Sequence, residues 1–174
     1  MNRDRISIFI PTPIEAAPLM RRGAKVNICG MGLMCHGCLE GFLRRERPAL
    51  AILAGTAGVY DDSFAVGDCV IVRTEWNERG ESVCSAPDAG LEMLFPFADS
   101  MTVERVGTTP EPSALIENME GYHFMDICRR LGVPCVELRV ISNRVAAPRS
   151  EWLIEESSEK LPDAIEKIIE FYTK

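Results

Sequence analysis

The 174-residue sequence predicts a single α/β domain, residues 1–174, built on a mainly parallel or mixed sheet. Short apolar runs of strand length alternate with amphipathic stretches of helical period, the pattern of folds that lay helices against a central sheet. Hydrophobic residues make up 47% of the chain and charged residues 26%, which suits one sizeable core. No internal repeat or low-complexity segment interrupts the alternation.

The first element is a strand over Ile6 to Ile10, stopped by Pro11-Thr12-Pro13 because proline cannot continue a ladder. Val26 to Cys29 forms a second short strand, and Gly30-Met31-Gly32 turns the chain into a helix from about Leu33 to Arg45. The strand, glycine turn and helix look like the start of a dinucleotide fingerprint, but the third glycine falls at position 37 instead of the required spacing. Ala49 to Ala54 is the third strand, leading into a Gly55-Thr56-Ala57-Gly58 turn whose backbone N–H groups would be free for a ligand. Cys69 to Thr74 reads as a strand buried on both faces, and Trp76 to Pro96 as loop with one helical turn near Leu91 to Phe95. Met101 to Val106 is a short alternating strand followed by a loop over Gly107 to Ser113. Asn118 caps a helix from Met119 to Leu131, with Glu120 in its first turn, an apolar face at Phe124, Ile127, Cys128 and Leu131, and Gly132 as its stop. Pro134 to Ile141 is a strong strand ending at Ser142-Asn143, and Leu161 to Tyr172 a last amphipathic helix.

A formal charge of −7 and a pI near 5.0 argue against nucleic acid or an anionic membrane as partner, since both would repel the average surface. A small molecule is the expected ligand. No run approaches the roughly 20 apolar residues of a membrane span, and Arg3, Asp4 and Arg5 precede the first strand where a signal core would lie. A cytoplasmic protein is expected. The seven cysteines are odd in number and mostly sit in apolar segments, as small buried residues do in a reducing compartment. Cys35 and Cys38 form a C-x-x-C near a helix start, yet no second pair has metal-ligand spacing, so packing is preferred to metal and a thiol redox role remains an outside reading. No metal or cofactor is expected.

Four places have chemical character. Glu15 follows the first strand, the 55–58 segment the third, and Asn143 the last long one, while Glu120 starts a helix. In open α/β sheets ligands gather beyond the carboxyl ends of strands, so one mouth could collect all four. Taken singly, each has a plainer explanation as a solvated loop carboxylate, a turn residue or ordinary acidic helix-start chemistry.

Together these segments resemble the purine nucleoside phosphorylase and nucleosidase superfamily, and within it the futalosine hydrolases. The matching pieces are Pro11-Thr12-Pro13-Ile14-Glu15-Ala16, Cys29-Gly30-Met31-Gly32, Ala54 to Gly58, Val66-Gly67-Asp68, Asn118-Met119-Glu120-Gly121 and Arg139-Val140-Ile141-Ser142-Asn143, with Trp152 and the segment to the Leu161 helix after them. The resemblance implies a three-layer nucleoside phosphorylase-like fold, with a central mixed, partly barrel-like sheet flanked by helices. It implies a nucleosidase that hydrolyses the N-glycosidic bond of a purine nucleoside, futalosine or another 6-oxopurine. Glu15 would activate water, Asn143 would bond the departing base, and Met119 and Glu120 would hold the ribose. Thr12, Thr56, Ala57, Gly58 and Asn118 complete the implied substrate contacts. A homodimer or higher homo-oligomer is implied as well.

The sequence departs from the family where it is short: the hairpin after Glu15 is reduced to about Leu19 to Lys25, and the region from Trp76 to Asn118 is compressed. That region usually supplies aromatic contacts to the base. Phe95, Phe97, Tyr122 and Trp152 are the candidates left for stacking. A phosphorylase, with Arg21 or Arg22 as phosphate ligand, a methylthioadenosine/S-adenosylhomocysteine nucleosidase and a nucleoside-binding homologue without turnover are the competing readings.

Overall fold

The strand Leu50–Val59 (β3) is the axis of the molecule, and in the computed structural model, which describes all 174 residues, it changes neighbours along its length within one eight-stranded sheet. Its first half pairs in parallel with Ile6–Ile10 (β1), which in turn pairs with Asn27–Ile28 (β2). Its last residues pair instead with the antiparallel Ile116–Asn118 (β7), while Cys135–Arg144 (β8) runs parallel to it from Ala51 to Val59. Phe97–Thr102 (β6) joins β7 to Cys69–Trp76 (β4), and β4 returns to β8, so β3, β7, β6, β4 and β8 close a five-stranded ring. Ser82–Cys84 (β5) adds to the free side of β4. The sheet is mixed and partly barrel-like, as expected.

Alternation along the strands divides the core into two layers, because successive side chains point to opposite faces. Phe9, Ala51 and Leu53 pack with Leu39 and Leu43 of helix Met34–Glu46 (α2) and with Phe124, Ile127 and Cys128 of helix Gly121–Leu131 (α3). Ile8, Ile10, Leu50 and Ile52 pack with Leu19 of helix Pro13–Arg21 (α1) and with Leu161, Ile165, Ile168 and Ile169 of helix Leu161–Thr173 (α5). Each fully buried aliphatic side chain contributes about 1.5–3 kcal/mol, so truncating Ile168 would remove one of the larger anchors of α5. A short helix, Ile154–Ser158 (α4), links β8 to α5. No helix is long and apolar enough to cross a membrane.

Several expected elements change form. The segment after Pro11 is a helix rather than a loop: Thr12 is its cap, accepting from Glu15 N–H at 3.3 Å, and Pro13 occupies the first turn, where a missing N–H costs nothing. What looked like the remnant of a hairpin is therefore the end of α1 and its turn. Residues 55–58 are not a turn but the second half of β3, paired with β8 along one side; on the other side Gly58 meets β7, and the Thr56 N–H is left for the Glu15 carboxylate. Asn143 lies within β8 instead of after it. The strand expected over Met101 to Val106 ends at Thr102 and begins at Phe97. The 76–96 region, expected to be loop with one helical turn near Leu91 to Phe95, has its turn as a 3-10 helix over Ala89–Met93 and in addition contributes β5.

Candidate active site

The second half of β3, the ends of β1, β7 and β8 and the start of α1 border a cavity of about 570 Å³. The residues nominated from the sequence for catalysis and for ribose and substrate contact all line it: Thr12, Glu15, Thr56, Ala57, Gly58, Asn118, Met119, Glu120 and Asn143. A larger open depression of about 850 Å³ lies around the start of β1; its Arg3 and Arg22 are paired with Glu166 and Asp163. Two of its guanidinium groups are thus already paired within the protein.

Glu15, the third residue of α1, is buried, and three donors hold its carboxylate: Thr56 N–H at 2.8 Å and Thr56 Oγ1 at 2.9 Å on one oxygen, Thr12 Oγ1 at 2.7 Å on the other. A carboxylate has about four lone-pair sites, so one remains for a donor in the cavity. Gly55 makes this approach possible. A Cβ there would stand 3.0 Å from Glu15 Oε1, 2.9 Å from Arg139 Nη1 and 3.2 Å from Pro11 Cδ.

Glu120 occupies the cap position of α3, one residue before the helix rather than in its first turn. The capping group is Asn118, whose Oδ1 accepts from the N–H groups of Glu120 and Gly121 at 2.9 and 2.8 Å. The Glu120 carboxylate accepts from Arg139 Nη1 at 3.2 Å and from Gly32 N–H at 3.3 Å, which gives the glycine turn before α2 its role. Burial pushes the Glu120 carboxyl above its usual range, Arg139 pulls it back and Glu15 pushes it up again.

Arg139, wholly buried, is the part of the site that strand pattern alone did not single out. It donates to Glu137 at 2.8 Å, to Asn118 Oδ1 at 2.9 Å and to the Thr56 carbonyl at 3.3 Å, besides Glu120. Asn118 borders the cavity, but its amide is engaged inside the protein: its Nδ2 donates to Glu75 at 2.5 Å and to Ser100 Oγ at 2.9 Å. It acts as a scaffold for Glu120.

Asn143 reaches the cavity through a bulge. Ala57 pairs with Ile141 and Gly58 with Asn143, so Ser142 is the extra residue on β8. The Ser142 hydroxyl donates to Asn143 Oδ1 at 2.8 Å, and Asn143 Nδ2 donates to the Arg144 carbonyl at 3.1 Å. Glu117, not nominated from the sequence, also borders the cavity and is buried. It accepts from Tyr60 OH at 2.9 Å and Gly107 N–H at 3.1 Å; burial raises its carboxyl and these two donors lower it.

Of the aromatic candidates only Trp152 borders the cavity, with the Arg149 guanidinium 5.4 Å from its ring centre. Phe95 and Phe97 pack on the α5 side of the core and Tyr122 on the α3 side, where helix and strand periodicity send them. Cys35 is buried and its thiol is pushed up to about 12, the reverse of what a redox thiol needs, while Cys38 is exposed. No group of three or more His, Cys, Asp or Glu side chains is arranged to hold a metal ion.

A model of the phosphorylase superfamily matches residues 102–174. A futalosine hydrolase of Thermus thermophilus is 26% identical over 166 residues, covering 75% of this chain and 74% of that protein. Among solved structures, an MTA/SAH nucleosidase superposes with a TM-score of 0.83 at 17% identity, over 97% of this chain and 95% of the other. Futalosine hydrolase of Helicobacter pylori superposes with a TM-score of 0.83 at 13% identity, over 95% of this chain and 97% of the other. Residues 102–174 thus carry the sequence pattern of the phosphorylase superfamily, and the chain as a whole has the fold of nucleosidases.

Proposed function

We propose that this protein hydrolyses the N-glycosidic bond of a purine nucleoside whose base is a 6-oxopurine, futalosine or a close relative. The observation that carries the reading is a continuous chain of hydrogen bonds fixing two buried carboxylates on one cavity: Glu15 to Thr56, Thr56 to Arg139 and Arg139 to Glu120. Cleavage of such a bond passes through a ribose with oxocarbenium character, which needs an acceptor for the sugar hydroxyls and a positioned water. Glu120 accepts from the 2′- and 3′-hydroxyls, bonds that strengthen as the ring becomes cationic. Glu15, with one acceptor site left, orients a water and takes its proton as the water attacks the anomeric carbon. Asn143 donates to the departing base, an amide that stays neutral throughout.

Phosphorolysis needs cationic groups beside the anomeric carbon. Arg139 is already engaged, and Arg21 and Arg22 pair with Glu159 and Asp163 away from the cavity, which favours water. Arg105 and Arg149 do border the cavity, so the assay must include phosphate. The purified protein incubated with futalosine, inosine or methylthioadenosine should release free base and free sugar at a rate independent of phosphate. Formation of a sugar 1-phosphate would assign a phosphorylase instead, and adenine release from methylthioadenosine alone would move the substrate class to 6-aminopurines. Glu15→Gln should lower kcat by about 10²–10⁴-fold with KM changed little.

A further inference from the structure

The leading N–H groups of a helix have no partner within it, and those of α3 are taken up by side chains from two adjacent strands. Asn118 of β7 accepts from Glu120 and Gly121, and Thr102 Oγ1 of β6 accepts from Tyr122 N–H at 2.7 Å. Thr102 and Asn118 are partners in the parallel register of β6 and β7, so their side chains leave the sheet on one face. Thr102 is buried and lies outside the wall of the cavity.

Both side chains could serve the helix in the wrong sense. A hydroxyl rotates and an amide flips, and each carries a donor as well as an acceptor. Glu75 of β4 removes the choice: its two oxygens accept from Asn118 Nδ2 at 2.5 Å and from Thr102 Oγ1 at 2.8 Å. A carboxyl group retains acceptor capacity whether or not it holds a proton. With its single hydrogen given to Glu75, Thr102 has only lone pairs to turn toward α3. Asn118 has a second support, because Arg139 Nη2 donates to its Oδ1, whereas Thr102 is oriented through Glu75.

We propose that Thr102, oriented by Glu75, is a positioning residue for Glu120, anchoring the turn behind it so that the carboxylate stays directed at the ribose hydroxyls. This rests on the nucleoside reading of the cavity and extends it to a residue that touches no ligand. Glu120 lies between two anchors: Asn118 holds its own N–H, and Thr102 holds the N–H two residues on. Its carbonyl accepts from Phe124 N–H at 3.0 Å, so the first turn of α3 and the carboxylate move together. Loss of the rear anchor frees that turn.

The test is calorimetric titration of the Glu15→Gln protein, which binds substrate with little turnover, using inosine and 2′,3′-dideoxyinosine, before and after a second change at position 102. Thr102→Val keeps the shape without the hydroxyl and should lower the preference for inosine by about tenfold, since a small misplacement of a group far from the chemistry has effects of this size or larger. Affinity for 2′,3′-dideoxyinosine should change by no more than about twofold, because it makes no bond to Glu120 and distant sites act independently. Thr102→Ser returns the hydroxyl and should return the preference. Amide hydrogen exchange on the wild-type protein needs no variant to fold: the Tyr122 N–H should be protected although it lies in a first turn. An unmoved preference, an equal loss for both nucleosides, no rescue by serine, or fast exchange at Tyr122 would each overturn the assignment. Failure of the nucleoside reading shows separately, as no binding of either nucleoside before position 102 is changed, and it removes the ribose role of Thr102 with it.

Discussion

Arg139 stands between two pairs of carboxylates that face opposite conditions. On the cavity side, Glu15 and Glu120 have donors at hydrogen-bond distance and acceptor capacity turned toward space a ligand can fill. On the core side, Glu137 and Glu75 are wholly buried, and Glu137 Oε2 has no hydrogen-bond partner. Both crowd Gly121: the point where its Cβ would sit is 2.2 Å from Glu75 Oε1 and 2.5 and 2.6 Å from the oxygens of Glu137. Two ionised carboxylates cannot share so dry a space, and burial followed by Glu137 pushes Glu75 well above the usual range. The cavity pair thus keeps acceptor capacity facing open space, while the core pair and its partners hold Arg139 and Asn118 in place.

Breaking the core pair should have the largest effect on stability. Glu137→Ala removes the 2.8 Å partner of a fully buried guanidinium and should cost about 3–5 kcal/mol in denaturant unfolding. Gly121→Ala forces a methyl group against both carboxylates and should cost about 1–3 kcal/mol, with cavity binding of hypoxanthine weakened through the displaced Asn118 and Glu120. Glu75→Gln should be close to neutral in stability at acidic pH, because an amide replaces a carboxyl that already carries a proton. The sign of its pH dependence follows from the raised folded-state value: the native protein retains a proton that the unfolded chain releases near pH 4.5, so the contribution of Glu75 is present at low pH and is lost as pH rises toward the folded value. Urea titrations across that range should show the wild type losing stability relative to Glu75→Gln by at most about 1.4 kcal/mol per pH unit. The smallest effect belongs to an exposed pair: Glu40→Gln, which breaks the 2.6 Å contact with Arg44 on α2, should leave the unfolding midpoint within error at moderate salt.

The same contrast explains what could be read before the fold was known. The apolar periodicity of α3 and α5 and the runs of β1, β3 and β8 located the layers, because those patterns are set locally by which face is buried. The α1 helix was legible in principle, since Thr12-Pro13-Ile14-Glu15 has a cap, a proline in the first turn and a glutamate three residues on. Pro11, Pro13 and Pro18 together obscured it. Gly55 and Gly58 look like turn residues for a local reason, but their smallness serves tertiary approach by Glu15, Arg139 and Asn143. Glu75 and Glu117 gave no signal at all. Their burial arises from closure of the five-stranded ring, and a carboxylate in Arg73-Thr74-Glu75-Trp76 looks locally like any solvated one.

The change of partners along β3 has a dynamic consequence. From Ala51 onward this strand is clasped by β8, with β1 beside its beginning and β7 beside its end, so neither an exposed edge nor fraying offers a cheap way to free it. Its amides should be among the last to exchange with solvent, and Thr56, Ala57 and Gly58 with them. By contrast, the exposed 104–106 stretch, whose neighbour Gly107 is tied to Glu117 by one N–H, borders the same cavity. A ligand entering this cavity would therefore meet paired strand on one side and exposed loop on the other, and amide exchange over 104–107 should run ahead of that over 56–58.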